Sequence, residues 1–97
     1  MSNVTFEEAT KIVGGYQAEL RKNVANDILL TLYAYFKQAH DGDCNKPEPS
    51  KLTDGLEASY KWTYWMKVKG MTQEEAKEKY IKLGFWLLEN KCGIKLN

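Results

Sequence analysis

The segment from about Asn26 to His40 is apolar on two faces of one predicted helix, and this constrains the fold more than any other feature. At about 100° per residue, its apolar and aromatic side chains fall on two stripes roughly 120° apart. The first stripe is Ile28, Leu32, Tyr35 and Ala39, and the second is Leu29, Tyr33, Phe36 and His40. One stripe suffices for packing on a core, so the second must meet another helix or a ligand. Periodicity alone leaves both interpretations open.

A first helix is predicted before this segment. Thr5 and Glu8 have the spacing of a capping box, in which the two residues satisfy each other's backbone N–H groups. An apolar stripe at helical spacing then continues to Leu20. Gly14 and Gly15 lie inside this stripe and each cost roughly 1 kcal/mol relative to alanine. The sequence therefore predicts one helix that is weakened in its second half.

The second helix is expected to be capped by Asn26 or Asp27 and to stop near Gly42. Glycine is suited to that end because it adopts the left-handed backbone conformation without steric cost. Pro47 and Pro49 follow, and each proline also moves its predecessor out of the helical region. This stretch is predicted to be a loop.

Two further helices are predicted after the loop. The third begins within residues 54–57 and ends at Gly70. Thr72 and Glu75 form a second capping-box pattern, which opens a fourth helix that reaches about Lys91. No strand pattern occurs, so we expect an all-α four-helix bundle in which the 97 residues form a single domain.

Composition excludes several classes of function. With 14 basic and 13 acidic residues, the formal net charge of +1 argues against a nucleic-acid-binding surface. Cys44 and Cys92 form no C-x-x-C pair and the chain has one histidine, so no metal site is predicted and the thiols are expected to be free. No apolar stretch is long enough to span a bilayer, and Ser2 and Asn3 begin no signal-like segment, so a cytoplasmic location is expected.

Two lysines and a tyrosine are candidates for binding an anion. Lys37 flanks the second stripe and lies one turn from Tyr33, which places an ammonium beside a phenol. Lys61 adjoins the two tryptophans of the third helix, whose spacing favours a core role for them. Tyr80 carries the only hydroxyl in the apolar stripe of the fourth helix. Its partner is either a backbone carbonyl or a ligand.

Four ordered motifs run through most of the chain. They are Leu32-Tyr33-Ala34-Tyr35-Phe36-Lys37-Gln38-Ala39 with Gly42-Asp43, then Lys61-Trp62-Thr63-Tyr64-Trp65 with Lys69-Gly70-Met71, then Thr72-Gln73-Glu74-Glu75-Ala76, and then Tyr80-Ile81. Together they resemble the acyl-CoA-binding protein family. The resemblance implies an up-down-down-up four-helix bundle that carries long-chain fatty acyl-CoA esters non-covalently, buffering and delivering them for lipid metabolism. It further implies no catalysis and no cofactor.

The resemblance also implies roles for particular residues. Carried over by position, it assigns the nucleotide head group to Tyr33, Lys37, Lys61 and Tyr80, adenine stacking to Phe36, and acyl-chain contact to Leu29 and Leu30. Tyr60 replaces a residue that is small in similar proteins and is a further candidate at the acyl chain. Such a protein is expected to be a monomer that makes transient contact with membranes or with acyl-CoA-using enzymes and has no stable membrane insertion.

Some residues depart from the pattern of the family. Gly14 stands where a basic residue near the ligand is common, which removes a contact from the first helix. Gly84 stands where a larger apolar residue is usual and Tyr16 where leucine is common, so the Tyr16 ring is expected to pack near Gly84.

Two other functions remain to be weighed. A helical protein-interaction module is the main alternative, with contact or self-association through the segment Phe85-Trp86-Leu87-Leu88. A small helical enzyme that binds a dicarboxylate would need several arginines, whereas Arg21 is the only one in the chain. The sequence therefore favours a carrier without enzymatic activity.

Overall fold

The computed structural model describes residues 4–96, and within that range every regular element is an α-helix. The five helices are α1 (Phe6–Gly15), α2 (Gln17–Asn23), α3 (Asn26–Asp41), α4 (Leu56–Lys67) and α5 (Gln73–Asn90). The predicted all-α class is confirmed, although the described residues form five helices rather than four. Ser2 and Asn3, which bear on the predicted location, lie outside the described residues.

The prediction of one helix as far as Leu20 is wrong. α1 ends at Gly15, and Tyr16 has φ −115° and ψ 25°, which is outside the helical range. The Tyr16 N–H donates to the carbonyl of Val13 at 3.1 Å, and α2 then starts at Gln17. Two successive glycines explain the position of the break, because they lower the helix propensity of the turn that precedes Tyr16.

The capping pattern at the start of α1 forms in full. Thr5 Oγ1 accepts from the Glu8 N–H at 3.1 Å, and Glu8 Oε1 accepts from the Thr5 N–H at 2.9 Å. At the start of α5, Thr72 Oγ1 accepts from the Glu75 N–H at 3.0 Å, but the reciprocal bond is absent among the described residues. The second capping box is therefore only half formed.

Of the two predicted ends of α3, one is confirmed and the other is wrong. Ala25 occupies the N-cap position and provides no side-chain cap, so the prediction that Asn26 or Asp27 caps this helix is wrong. Asp27 instead accepts from the N–H of Ile28 at 2.9 Å, one residue inside the helix. The other end is as expected, because Gly42 closes the helix with φ 82°.

α3 is the central helix of the bundle. It packs most extensively on α5 and α4, while α1 packs on α5 and α2 on α3. Its first apolar stripe faces the core: Leu32 and Ala39 are buried there, and Ile28 and Tyr35 pack against the buried cluster. The core interpretation of this stripe is confirmed.

The contact between α1 and α5 differs from expectation. A methyl group placed at Gly84 would lie 3.0 Å from Val13 Cγ2 and 3.7 Å from Leu32 Cδ1, with no atom of Tyr16 within 4 Å. The expectation that Tyr16 packs near Gly84 is therefore wrong. Tyr16 lies at the break that follows α1, so the side chain that reaches Gly84 comes from the last intact turn of that helix.

Two tryptophans attach the loop after α3 to α4. Trp65 is buried, and its Nε1–H donates to the carbonyl of Gly42 at 2.9 Å. Trp62 is half-buried and donates in the same way to the carbonyl of Lys46 at 2.8 Å. These bonds fix the start of the loop against α4 and hold α4 beside α3.

A buried amide joins α3 to the turn between α4 and α5. Gln38 Nε2 donates to Asp43 Oδ1 at 2.7 Å and to the carbonyl of Met71 at 2.8 Å. Asp43 also accepts from the N–H of Gly70 at 2.8 Å. The bonds from Gly70 and then Gln38 hold the pKa of Asp43 below its usual value of 3.8. The ionised carboxylate thus ties two distant turns together.

The apolar segment near the end of α5 is mostly core. Phe85, Leu87 and Leu88 are buried, and only Trp86 is exposed, to 51%. The Lys91 ammonium lies 5.9 Å from the centroid of the Trp86 ring. The surface expected for the interaction module is therefore reduced to one tryptophan. Cys44 and Cys92 are both free thiols.

No helix among residues 4–96 is long and apolar enough to cross a membrane.

Candidate ligand-binding groove

A groove of about 1170 Å³ runs across one face of the bundle, and all five helices contribute to it. Its lining residues are Phe6, Glu7, Thr10, Lys11 and Gly14 from α1, Gln17, Leu20 and Arg21 from α2, Asn26, Leu29, Leu30, Leu32, Tyr33, Phe36 and His40 from α3, Glu57, Tyr60 and Lys61 from α4, and Tyr80 from α5. The groove is large enough for an elongated organic ligand.

The second apolar stripe of α3 faces this groove. Its four members, Leu29, Tyr33, Phe36 and His40, all line the cavity. Leu29 and Phe36 also pack against the buried core, where Phe36 meets Phe6 of α1 and Tyr80 of α5. The two interpretations left open by periodicity therefore both hold in part, because the stripe contacts neighbouring helices and also lines a groove.

Four of the aromatic rings that line the groove form a cluster. Phe36 lies nearly parallel to Phe6, with ring centroids 6.0 Å apart, and to His40 at 5.8 Å. Tyr80 meets Phe6 edge-on at 5.4 Å and is tilted against Phe36 at 5.9 Å. Phe6 and Tyr80 are buried and Phe36 is half-buried, whereas His40 is exposed. The cluster therefore runs from the core outward to the imidazole.

The Tyr80 hydroxyl is directed to the groove rather than to the protein. Burial raises the pKa of this phenol to about 12, so it stays protonated at neutral pH. Within residues 4–96 the hydroxyl makes no hydrogen bond, and it is not among the fully buried polar atoms that lack a partner. The alternative of a backbone carbonyl partner is not realised. The O–H is available to a ligand.

Lys61 and Tyr33 meet across the groove from α4 and α3. The Lys61 ammonium lies 5.1 Å from the centroid of the Tyr33 ring and 3.2 Å from Glu57 Oε2. Both contacts hold the lysine at the groove, although the ion pair is exposed and therefore weak. The ammonium beside the Tyr33 ring is therefore that of Lys61, whereas the sequence predicted that of Lys37.

Lys37 is the one candidate that does not line the groove. Its Nζ lies 2.5 Å from Asp41 Oδ2 and 4.8 Å from the centroid of the Trp65 ring. Trp65, Tyr33 and Lys61 border a second cavity of about 200 Å³. Lys37 lines neither cavity, although it contacts Trp65, and its charge is shared with Asp41. The bonds from Lys37 and then His40 hold the pKa of Asp41 below its usual 3.8.

Two basic residues of the groove were missed by sequence reasoning. Lys11 on α1 and Arg21 on α2 both line it, and neither forms an ion pair with a carboxylate among residues 4–96. Lys11 precedes Gly14 by three residues, so it shares the helix face on which Gly14 offers no side chain. The spacing of three residues between Lys11 and Gly14 could therefore have predicted that Lys11 lies at the groove. No spacing in the sequence could have predicted the position of Arg21, because the break at Tyr16 sets the direction of α2.

The remaining candidates lie on the apolar part of the groove. Leu30 is buried and Leu29 is half-buried on the α3 side. Tyr60 lines the α4 side and is 47% exposed. The structure thus gathers seven of the predicted residues around one groove, the seven being Leu29, Leu30, Tyr33, Phe36, Tyr60, Lys61 and Tyr80.

No group of three or more His, Cys, Asp or Glu side chains in the described part of the chain is arranged to hold a metal ion.

An all-helical bundle with a groove lined by apolar and aromatic side chains and by Lys11, Arg21 and Lys61 defines a small helical ligand-binding protein. The family model described as "Acyl CoA binding protein" matches residues 3–84. The chain therefore belongs to the acyl-CoA-binding protein family.

Relatives and solved structures agree with this assignment. The chain is 44% identical over 79 residues to an acyl-CoA-binding protein of Dictyostelium discoideum, covering 81% of this chain and 87% of that protein. It is 40% identical over 83 residues to one of Saccharomyces cerevisiae, covering 86% and 88%. The crystal structure of acyl-CoA-binding protein 2 of Oryza sativa matches with a TM-score of 0.74 at 29% identity, covering 93% of this chain and 98% of that one.

Proposed function

We propose that this chain is a non-enzymatic carrier that binds long-chain fatty acyl-CoA esters in the groove, buffers their free concentration and delivers them for lipid metabolism. One observation carries the proposal: the second stripe of α3 lines a groove that is apolar at Leu29 and Leu30 and that also bears Lys61 from α4 and Tyr80 from α5. Such a groove suits a ligand with one anionic and one aliphatic part.

The nucleotide part of the ligand needs several donors at once. A phosphate dianion is held by charge-assisted hydrogen bonds, each contributing about 1.5 to 3 kcal/mol when well placed. Lys61 with Tyr33, and the free O–H of Tyr80, are proposed as donors from three helices. Lys11 and Arg21 add two further cations to the same groove. Lys37 is proposed to join them by exchanging Asp41 for the phosphate.

The acyl chain is proposed to lie along Leu29 and Leu30 of α3 and to reach Tyr60 of α4, all of which line the groove. Each methylene that leaves water contributes roughly 0.8 kcal/mol, so ten contribute about 8 kcal/mol before ordering costs. Chain length should then be a dominant determinant of affinity. The thioester itself is expected to be protected rather than cleaved.

The setting of this function is also part of the proposal. We expect the carrier to act as a cytoplasmic monomer without a cofactor, and to make transient contact with membranes or with acyl-CoA-using enzymes. Its ligand is a small molecule rather than a nucleic acid, in accord with the net charge of +1.

Native mass spectrometry of the freshly purified protein tests the proposal directly. A carrier should retain acyl-CoA, seen as a mass increase that disappears on denaturation. A protein-interaction module should not retain it, and the burial of Phe85, Leu87 and Leu88 already leaves that alternative little surface. Absence of any complex after titration with palmitoyl-CoA would refute the carrier function.

A matched pair of lysine variants tests the site. Lys61→Ala should weaken palmitoyl-CoA binding by about 1.5 to 3 kcal/mol in titration calorimetry. Lys77→Ala is the control, because Lys77 is paired with Glu74 on α5, has similar side-chain exposure (35% against 40% for Lys61) and does not line the groove. Equal affinities of the two variants would remove Lys61 from the site.

A further inference from the structure

His40 is the one exposed ring of the aromatic cluster that lines the groove. Phe6 and Tyr80 are buried and Phe36 is half-buried, so little of their ring surface is open to a ligand. The His40 side chain is 64% exposed, lines the groove and lies on the Phe36 ring at 5.8 Å with an interplanar angle of 27°. One side of the imidazole is thus supported by the cluster while much of the ring is accessible.

A contact between a nitrogen of the His40 ring and Asp41 also holds the imidazole in place. His40 Nδ1 lies 2.6 Å from Asp41 Oδ1. The pKa of Asp41 is held below its usual value by Lys37 and by His40, so the carboxylate is ionised at neutral pH and only accepts hydrogen bonds. Nδ1 therefore donates, which fixes the tautomer and the orientation of the ring. A ring held in this way loses little freedom when a ligand stacks on it.

We propose that His40 is the residue on which the planar heterocycle of the ligand stacks, extending the ring series of Phe6 and Phe36 by one member. Because acyl-CoA binding is itself the proposed function, the heterocycle is the adenine of the nucleotide. Phe36, which the family pattern assigns to stacking, then supports His40 from beneath. Every base has a flat aromatic face, so stacking of this kind requires no particular hydrogen bond.

The geometry of the groove agrees with this assignment. Lys11 and Tyr80 line the same groove as His40, so the groove that would hold the base also offers donors for phosphate. The acyl-contacting Leu29 lies on the same stripe of α3, three turns before His40. A ligand with its base on His40 and its chain toward Leu29 would therefore lie along the groove.

Three palmitoyl esters separate stacking from charge. Palmitoyl-CoA carries adenine and the 3′-phosphate, palmitoyl-dephospho-CoA carries adenine alone, and palmitoyl-4′-phosphopantetheine carries neither. His40→Ala should weaken the first two by the same factor, roughly 5- to 150-fold, which is the range that one base–aromatic stack gives. Binding of the third should not change. His40→Tyr, which keeps a flat ring, should restore most of the loss.

A matched control and a spectroscopic readout complete the test. Trp86→Ala removes another exposed ring, one that lies outside the groove, and should leave all three affinities unchanged. His40 is the only histidine of the chain, so its two carbon-bound ring protons are unambiguous in NMR spectra. They should move upfield on saturation with dephospho-CoA and stay in place with phosphopantetheine.

The outcomes distinguish this proposal from the proposed function. If the unmodified protein binds palmitoyl-CoA but His40→Ala weakens all three esters equally, or the ring protons do not move, His40 is not the stacking residue and the carrier function stands. If the unmodified protein binds no palmitoyl ester, both are overturned.

Discussion

The ammonium of Lys37 lies 2.5 Å from the Oδ2 atom of Asp41, one turn further along α3. The same carboxylate holds His40 through its other oxygen, at 2.6 Å. Asp41 thus forms an ion pair with Lys37, the lysine that the family pattern assigns to the nucleotide head group. A ligand phosphate would have to compete with this carboxylate for Lys37, and Asp41 would also repel it.

Asp41→Asn keeps an oxygen that can accept from His40 Nδ1 but removes the charge that holds Lys37. It should therefore raise the affinity for palmitoyl-CoA by roughly two- to fivefold, since an i,i+4 pair contributes only about 0.3 to 0.5 kcal/mol and a like charge is also removed. Titration calorimetry measures the gain. Palmitoyl-dephospho-CoA serves as the control ligand and should gain less, because it lacks the 3′-phosphate. A lower affinity of the variant would show that holding His40 requires the charge of Asp41 and not only an accepting oxygen.

The same variant has a defined pH dependence of stability. Lys37 and then His40 depress the pKa of Asp41 below 3.8, so its contribution is present above that pH and is lost as the pH falls through the depressed pKa. The difference in unfolding free energy between the two proteins should be small and constant above about pH 4 and vanish in stronger acid. Urea unfolding at several pH values measures it.

Tyr80→Phe should weaken palmitoyl-CoA binding by about 1.5 to 3 kcal/mol if the hydroxyl donates to a phosphate. The unfolding free energy at neutral pH should hardly change, because no hydrogen bond of the hydroxyl within residues 4–96 is lost. A pure core role would give the reverse pattern, with lower stability and unchanged affinity. Calorimetry and urea unfolding of the same preparation decide between them.

The raised pKa of Tyr80 also predicts a loss of stability at alkaline pH. Burial raises its pKa from 10.0 to about 12, so its contribution to stability is fully present below pH 10 and is lost as the pH rises through 12. The unmodified protein should lose more stability than Tyr80→Phe between these values. Identical alkaline profiles would contradict the burial of an unpaired phenol.

Gly84→Ala should destabilise the protein. The new methyl group would lie 3.0 Å from Val13 Cγ2, and overpacking typically costs about 1 to 3 kcal/mol against roughly 1 kcal/mol gained in helix propensity. Gly15→Ala is the control, because no neighbouring atom lies within 4 Å, and it should stabilise by about 0.4 to 1 kcal/mol. Adding Val13→Ala to Gly84→Ala should relieve the close contact. Equal stabilisation by both alanines would mean that Val13 moves aside freely.

Tyr60→Ala should change the dependence of affinity on chain length. In the unmodified protein, affinity should rise by up to roughly 0.8 kcal/mol per buried methylene and level off where the chain meets the Tyr60 ring. The variant should move this plateau to longer chains and leave short esters unaffected. A uniform change for all chain lengths would show that Tyr60 does not lie at the end of the acyl chain.

Local signals in the sequence determined several helix ends and the two apolar faces of α3. The cap at Thr5, the end of α3 at Gly42 and the two stripes of α3 depend on residues within a few positions of one another, so spacing alone predicts them. The same spacing placed Tyr33, Phe36 and His40 on the face that became the groove.

Only the tertiary structure decided where these faces meet other helices. The break at Tyr16 sends Arg21 to the groove and brings Val13 rather than Tyr16 to Gly84, which no local pattern specifies. The spacing of the sequence placed Lys37 beside Tyr33, whereas the structure pairs it with Asp41 and sets its ammonium 4.8 Å from the centroid of the Trp65 ring. These outcomes depend on contacts between residues far apart in the chain, whose strength is set by how the helices pack and which water they exclude.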